Sequence, residues 1–132
     1  MGNTQGINKL NFQAMNKIIE STEYIIINTL PENKQSCLIK NTITPEKEYI
    51  LINQHLKTNR NIKIVIYGEN SIDNTVIIKY NQLYRMGFKN LYVYIGGLFE
   101  WLLLQEIYGD DIFCTTNKII DILQYTGNSI II

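Results

Sequence analysis

The sequence has no excess of charge of either sign. Twelve Lys and Arg balance twelve Asp and Glu. The basic field that drives binding to nucleic acid or to an anionic membrane is therefore missing. Cysteine is scarce: Cys37 and Cys114 are the only two. They have neither metal-type spacing nor the density of a disulfide framework, which points to a reducing compartment, the cytoplasm. Histidine occurs once, as His55, with no cysteine cluster beside it in sequence, so no metal and no cofactor are expected. Long apolar runs are missing too. The longest, Leu91 to Leu104, is interrupted by Gly96, Gly97 and Glu100, and is too short and too broken to span a bilayer. The first residues lack the basic and apolar regions of a signal peptide. Met1-Gly2-Asn3 is like the start of an acylation signal, but Gly6 stands where serine or threonine is expected. Alanine is almost absent (Ala14 alone) while isoleucine and asparagine abound. That bias is read as the trace of an AT-rich genome, such as that of a large DNA virus or a protist. The expected location is then the host cytoplasm or a virus particle.

What is present is a globular balance, 45% hydrophobic and 18% charged residues over 132 positions, enough for one domain with a real core. Residues 1–132 are read as that single domain, with 1–10 an N-terminal arm and 117–132 a C-terminal helix and tail. Asn11 caps a short helix bearing Phe12, Met15, Ile18 and Ile19 on one face. Tyr24-Ile25-Ile26-Ile27, closed by Leu30-Pro31-Glu32-Asn33, reads as a buried strand. Cys37-Leu38-Ile39 makes a further short strand. Thr44-Pro45 starts a helix with Tyr49, Ile52 and Leu56 on its apolar stripe. Ile62 to Tyr67 is the clearest strand. Asn74 caps a helix carrying Val76, Ile77, Tyr80, Leu83 and Tyr84, and Gly87 ends it. Leu91 to Ile95 is a strand. Leu98 to Tyr108 is a helix apolar nearly all round, hence buried on most sides, and Thr116 caps a last helix through Tyr125. Strands alternating with helices imply an α/β fold, a mainly parallel sheet flanked by helices on both faces.

In such sheets ligands sit beyond the carboxyl ends of the strands. The loop Gly68-Glu69-Asn70-Ser71-Ile72-Asp73 occupies that place, between the best strand and a helix N-terminus, where an anion is readily held. Ile64-Val65-Ile66-Tyr67, this six-residue loop, a helix, and then Met86-Gly87-Phe88-Lys89-Asn90-Leu91-Tyr92 together resemble the active-site half of rhodanese domains. Gly96-Gly97-Leu98-Phe99-Glu100-Trp101 is similar to that family's glycine-glycine-to-tryptophan segment. Tyr24 to Leu30 and Leu38 to Ile43 resemble its two upstream motifs. The resemblance runs from about residue 7 to residue 108 and implies a parallel sheet of about five strands.

Departures from the family pattern carry the functional reading. The family's nucleophilic cysteine opens the loop directly after the strand, where this chain has Gly68. The closing arginine of the family falls on Asp73, and the aspartate and arginine of the upstream strand motif fall on Asn28 and Leu30. The resemblance thus implies the fold without the chemistry. Covalent sulfur or phosphoryl transfer needs an activated nucleophile, and glycine has no side chain to activate. No catalytic residue is assigned, and Gly68 to Asp73 are read as a vestigial active-site loop. Glu69 and Asp73, with no cation in the loop, would oppose a dianion. Gly68 itself is read as a residue permitted in a tight turn. Cys37 looks buried and inert, and Cys114 follows Asp110-Asp111, which would raise its pKa. A Ser71, His55 and Asp73 triad has no supporting spacing. Trp101 is assigned to the core, and Tyr92, Tyr94 and Tyr108 are divided between core and surface. Ile130 to Ile132 are expected to pack back on the domain or to add a strand to a partner. The expected function is a non-catalytic module that binds a protein partner or a second copy of itself. The alternatives are a sulfurtransferase or sulfur carrier using a displaced cysteine, and a structural component of a virus particle.

Overall fold

The computed structural model describes residues 7–119 and 121–126. The start of the chain, with its acylation-like residues, and the tail Ile130 to Ile132 lie outside the described residues.

Four strands form one parallel sheet: β1 (Asn8–Leu10), β2 (Tyr24–Asn28), β3 (Lys63–Tyr67) and β4 (Leu91–Tyr94), in the order β1-β4-β3-β2. Four helices flank it: α1 (Phe12–Ile18), α2 (Pro45–Thr58), α3 (Asn74–Arg85) and α4 (Gly97–Tyr108). The α/β architecture with a parallel sheet is as expected, and among the described residues the strands number four where about five were expected. Cys37 to Ile39 is not a strand; only Ile39 forms an isolated bridge, with Thr115. Conversely, the expected N-terminal arm contains β1, which pairs with β4 and sits at the sheet edge. The last helix is also shorter than expected. Thr116 does not cap it, because its amide and hydroxyl are tied to the backbone of Leu38. Among the described residues a single 3-10 turn, Ile122–Tyr125, comes after it.

Alternation along each strand divides the core in two, because successive side chains point to opposite faces. Ile25, Ile27, Ile64, Ile66, Leu91 and Val93 face α2 and α3, where Ile52, Val76, Tyr80, Leu83 and Phe88 meet them. Ile26, Val65, Tyr67 and Tyr94 face the other side, packing with Met15, Ile39, Trp101, Phe113 and Tyr125. Asn11 caps α1 through its Oδ1, which accepts from the Ala14 amide at 2.9 Å. Thr44 caps α2 with Pro45 in its first turn. Gly87 ends α3 at a φ of +103° that favours glycine. The α2 stripe is narrower than expected, since Tyr49 is exposed and Ile52 is the buried residue of that helix.

Helix α4 buries Leu98, Trp101, Leu102 and Gln105 but leaves Leu103, Ile107 and Tyr108 exposed, so one apolar face of it is bare. Trp101 is fully buried. Its ring meets Tyr94 edge-on at 5.8 Å and Phe113 at 5.1 Å, and its indole N–H donates to the Cys114 carbonyl at 3.0 Å. Of the other tyrosines, Tyr94 is buried, Tyr92 half-buried and Tyr108 exposed. Trp101→Ala removes a large side chain from a closed site and leaves the Cys114 carbonyl with the Lys40 amide as its donor. A loss of about 3–5 kcal/mol is expected, read from urea melts. A loss under about 1 kcal/mol would be that of a surface residue.

Candidate functional site

β3 delivers the chain to Gly68 at the carboxyl end of the sheet, and the loop 68–73 leads into α3. The loop is pinned from one side by α4. The first amides of that helix donate to it, Leu98 N–H to the Gly68 carbonyl at 2.9 Å and Phe99 N–H to the Glu69 carbonyl at 2.8 Å. So close an approach needs the two glycines that precede them. Gly97 has a φ of +71°, and a Cβ there would lie 2.7 Å from the Asn70 nitrogen. A Cβ on Gly96 would meet the Glu100 carboxylate. Glu100 folds back there to accept the Tyr94 hydroxyl proton at 2.6 Å. Burial and then that carboxylate raise the Tyr94 pKa, so the phenol stays protonated.

The loop and the start of α3 converge on the Asp73 carboxylate. Its Oδ2 accepts from the Glu69 amide at 3.0 Å, and its Oδ1 accepts from the Thr75 amide at 3.0 Å and the Thr75 hydroxyl at 2.6 Å. Asp73, not Asn74, is therefore the N-cap of α3. Its carboxylate turns inward onto these backbone amides.

Gly68 adjoins it directly. A Cβ at Gly68 would lie 2.5 Å from Asp73 Oδ2 and 2.6 Å from Val76 Cγ2. The backbone there is not left-handed, because the positive φ values of the described glycines belong to Gly87, Gly97 and Gly109. What a side chain at Gly68 would meet is therefore the side chains of Asp73 and Val76, and not a left-handed backbone.

The loop does have a cation, brought from a distant turn. Lys34 ends the 3-10 turn Glu32–Lys34 and pairs with Glu69 at 3.0 Å. The same ammonium donates to the Gln124 carbonyl at 3.0 Å and lies 5.4 Å from the centre of the Tyr125 ring. The expectation of two unopposed carboxylates is corrected accordingly: Asp73 is bound by amides and Glu69 by Lys34. Asn70 Oδ1 accepts from the Ile72 amide, while its Nδ2 donates to the Tyr125 carbonyl at 2.9 Å. Ser71 and Ile72 are exposed at the loop tip. Lys34, Tyr125 and the glycine pair as loop anchors were not identified from sequence. The glycine pair alone had a local signal.

The two thiols lie in other parts of the fold. Cys37 is fully buried, with its Sγ donating to the Asn117 carbonyl at 3.3 Å, and burial raises its pKa. Cys114 is half-buried near the Asp111 carbonyl. His55 lies in the last turn of α2, toward the amino ends of the strands and away from Ser71 and Asp73, so no triad is assembled. Its Nδ1 is buried without a hydrogen-bond partner among the described residues. Asn28, at the upstream motif position, is buried; its Oδ1 accepts from the Leu30 amide and the Gln35 amide group. Among the described residues no three His, Cys, Asp or Glu side chains gather to hold a metal, and no helix is long and apolar enough to cross a membrane.

Among curated proteins, none matches this chain in sequence. Solved structures share its fold at low identity. A protein of Anabaena sp. superposes with a TM-score of 0.59 at 18% identity, covering 87% of this chain and 97% of that one. A protein of Bacillus halodurans gives 0.58 at 14% identity, over 80% and 77% of the two chains. A single-domain sulfurtransferase of Saccharomyces cerevisiae gives 0.53 at 17% identity, over 83% and 98%. The model of the rhodanese-like domain matches residues 14–104, from α1 into the body of α4. With the parallel sheet and the loop in their places around that match, this chain belongs to the rhodanese-like domain family, which has sulfurtransferases among its members.

Proposed function

We propose that this chain is a non-catalytic rhodanese-like module that acts by binding a protein partner or another copy of itself. The observation that carries the reading is the pairing of Gly68 with Asp73. The nucleophile position has no side chain, and the space a side chain would enter is taken by the Asp73 carboxylate. That carboxylate also uses the Glu69 and Thr75 amides. A thiolate or an anionic substrate would have to displace a covalently tethered anion held at very high effective concentration. The reading of a displaced sulfur carrier has less support. Cys37 is buried with a raised pKa, and the thiolate is the reactive form. Nothing in the site favours a structural role in a virus particle over partner binding.

The purified protein is expected to show no thiosulfate:cyanide sulfurtransferase activity above a blank. Turnover that disappears in Cys37→Ala or Cys114→Ala would overturn the proposal. In native protein a small alkylating reagent should modify Cys114 first, with Cys37 reacting only on unfolding. Mass spectrometry of the modified peptides reads this directly.

A second test introduces the thiol. Gly68→Cys alone places the new side chain against the Asp73 carboxylate and Val76. Overpacking of this kind costs about 1–3 kcal/mol, and the adjacent negative charge raises the thiol pKa. Gly68→Cys combined with Asp73→Arg frees the amides and supplies an opposite charge. The double variant should stay folded, and its thiol should titrate below the ~8.5 of a free cysteine. Alkylation rate against pH measures both values. A pKa in the double variant no lower than in the single one would show that the loop does not cradle anions.

A further inference from the structure

Helix α4 presents a bare face whose composition is one-sided. Residues three and four apart share a helix face, so Phe99, Leu103 and Ile107 form one stripe with Glu100 and Glu106 beside it. Ile107 is 69% exposed and Leu103 38%, and Phe99 is half-buried. The buried residues of the helix, Leu98, Trp101, Leu102 and Gln105, lie on its other side. At the loop end the stripe opens into a hollow of about 330 Å³ between Ser71, Ile72, Phe99 and Leu103. Ile72 is exposed there as well. Single exposed apolar residues need no explanation, but a continuous stripe that ends in a hollow marks a surface used for binding.

The charges beside the stripe narrow what can cover it. Glu100 and Glu106 are the charged residues of α4, and the helix has no basic residue. Glu106 stands exposed in the last turn, with no hydrogen bond or ion pair among the described residues. The carbonyls at a helix C-terminus carry partial negative charge, which a cation offsets and a carboxylate adds to. Asp110 and Asp111 follow directly, and Asp110 is paired with Lys118. A second copy is a poor match for such a face. Glu100 and Glu106 stand three residues either side of Leu103. A two-fold antiparallel pairing of α4 about Leu103 therefore sets Glu100 of one copy against Glu106 of the other, twice. Like charges across a contact oppose association. An anionic lipid surface is opposed for the same reason.

We propose that this face of α4 is the docking site for an amphipathic helix of a partner protein, one that carries basic residues beside its apolar stripe. The partner's apolar side chains, recurring at helical spacing, lie along Phe99, Leu103 and Ile107. One of them enters the hollow beside Ile72. Its lysines or arginines meet Glu106 and Glu100, and so supply the cation that the C-terminal end of α4 lacks. The proposal rests on the reading of this chain as a protein-binding module and gives the chemistry of that module's partner.

The test uses the full chain and two synthetic helical peptides labelled for fluorescence anisotropy. One has leucine at every fourth position with lysine beside the stripe; the other has glutamate in place of each lysine. The lysine peptide is expected to bind and the glutamate peptide is not. Ile107→Ser is expected to weaken binding of the lysine peptide about tenfold or more. Glu106→Lys is expected to weaken the lysine peptide and to admit the glutamate peptide. Both positions are exposed, so both variants should melt in urea as the parent does. Equal binding of the two peptides by the parent, or lysine-peptide binding unchanged in Ile107→Ser, would overturn the proposal. A dimer of the parent, seen by light scattering and dissolved by Ile107→Ser, would overturn it in favour of a second copy. Binding to zwitterionic vesicles that Ile107→Ser abolishes would overturn it in favour of a lipid surface. Failure of peptide binding leaves the thiosulfate result standing, and thiosulfate turnover leaves the peptide result standing, so this proposal and the non-catalytic reading fail separately.

Discussion

Two hydrogen bonds organise the carboxyl end of the sheet, those from the first amides of α4 to the carbonyls of Gly68 and Glu69. A helix N-terminus has amides without intrahelical partners, and their usual fate is water, a cap or an anion. Here they are used on the backbone of a neighbouring loop. That use constrains the residues around it. Gly97 must lack a Cβ so that the two backbones can meet, and Gly96 must lack one so that Glu100 can fold back to Tyr94. The helix is then fixed at an angle that drives Trp101 between Tyr94 and Phe113. The Gly-Gly-to-Trp spacing is thus a single mechanical device, coupling the loop to the core on the α1 and α4 side of the sheet.

With the loop held by α4, its own amides turn toward α3, and there the side chain of Asp73 meets them. The carboxylate caps the helix in the ordinary way, but its second oxygen reaches back to Glu69 and stands where a side chain on Gly68 would have to go. Glycine at 68 and aspartate at 73 therefore form one steric arrangement. Adding a side chain at 68 without removing the carboxylate overfills the space, and removing the carboxylate alone leaves amides without their partner. The surrounding charges are consistent with this. Lys34 neutralises Glu69 and not Asp73, and it ties the segment 121–126 to the loop by the same ammonium.

Much of the fold was legible because it rests on local signals. The apolar runs at Tyr24 to Ile27 and Ile62 to Tyr67, the Asn11 cap, the Thr44-Pro45 start and Gly87 each act within a few residues. β1 was not legible because Asn8 and Lys9 are exposed at a sheet edge. Its pairing with β4 leaves no apolar pattern to detect. The expected C-terminal helix fails for a tertiary reason. Cys114 and Thr116 bond to the backbone of Leu38 and Lys40, which holds that stretch extended. At the site, the place of the loop from Gly68 to Asp73 could be read, but the fate of its charges could not. Nothing in the sequence tells that Asp73 turns inward, and Lys34 acts on Glu69 across 35 positions of chain.

The glycine at position 68 shows most clearly what sequence pattern alone leaves out. Glycine in a loop is usually read as backbone freedom, which requires a positive φ or a tight turn. At Gly97 that reading holds, with a φ of +71° and loop backbone within 3 Å of a Cβ. At Gly68 it does not, since the backbone there is of a kind any residue adopts and the obstacle is a side chain five residues on. The two glycines thus differ in how far they could be replaced. Gly97 is fixed by backbone, which cannot move without undoing the junction of α4 and the loop. Gly68 is fixed by Asp73 and Val76, whose side chains can be changed. The junction of loop and helix is held by Gly97 and the helix behind it, and the space beside the loop is filled separately, by the pair at 68 and 73.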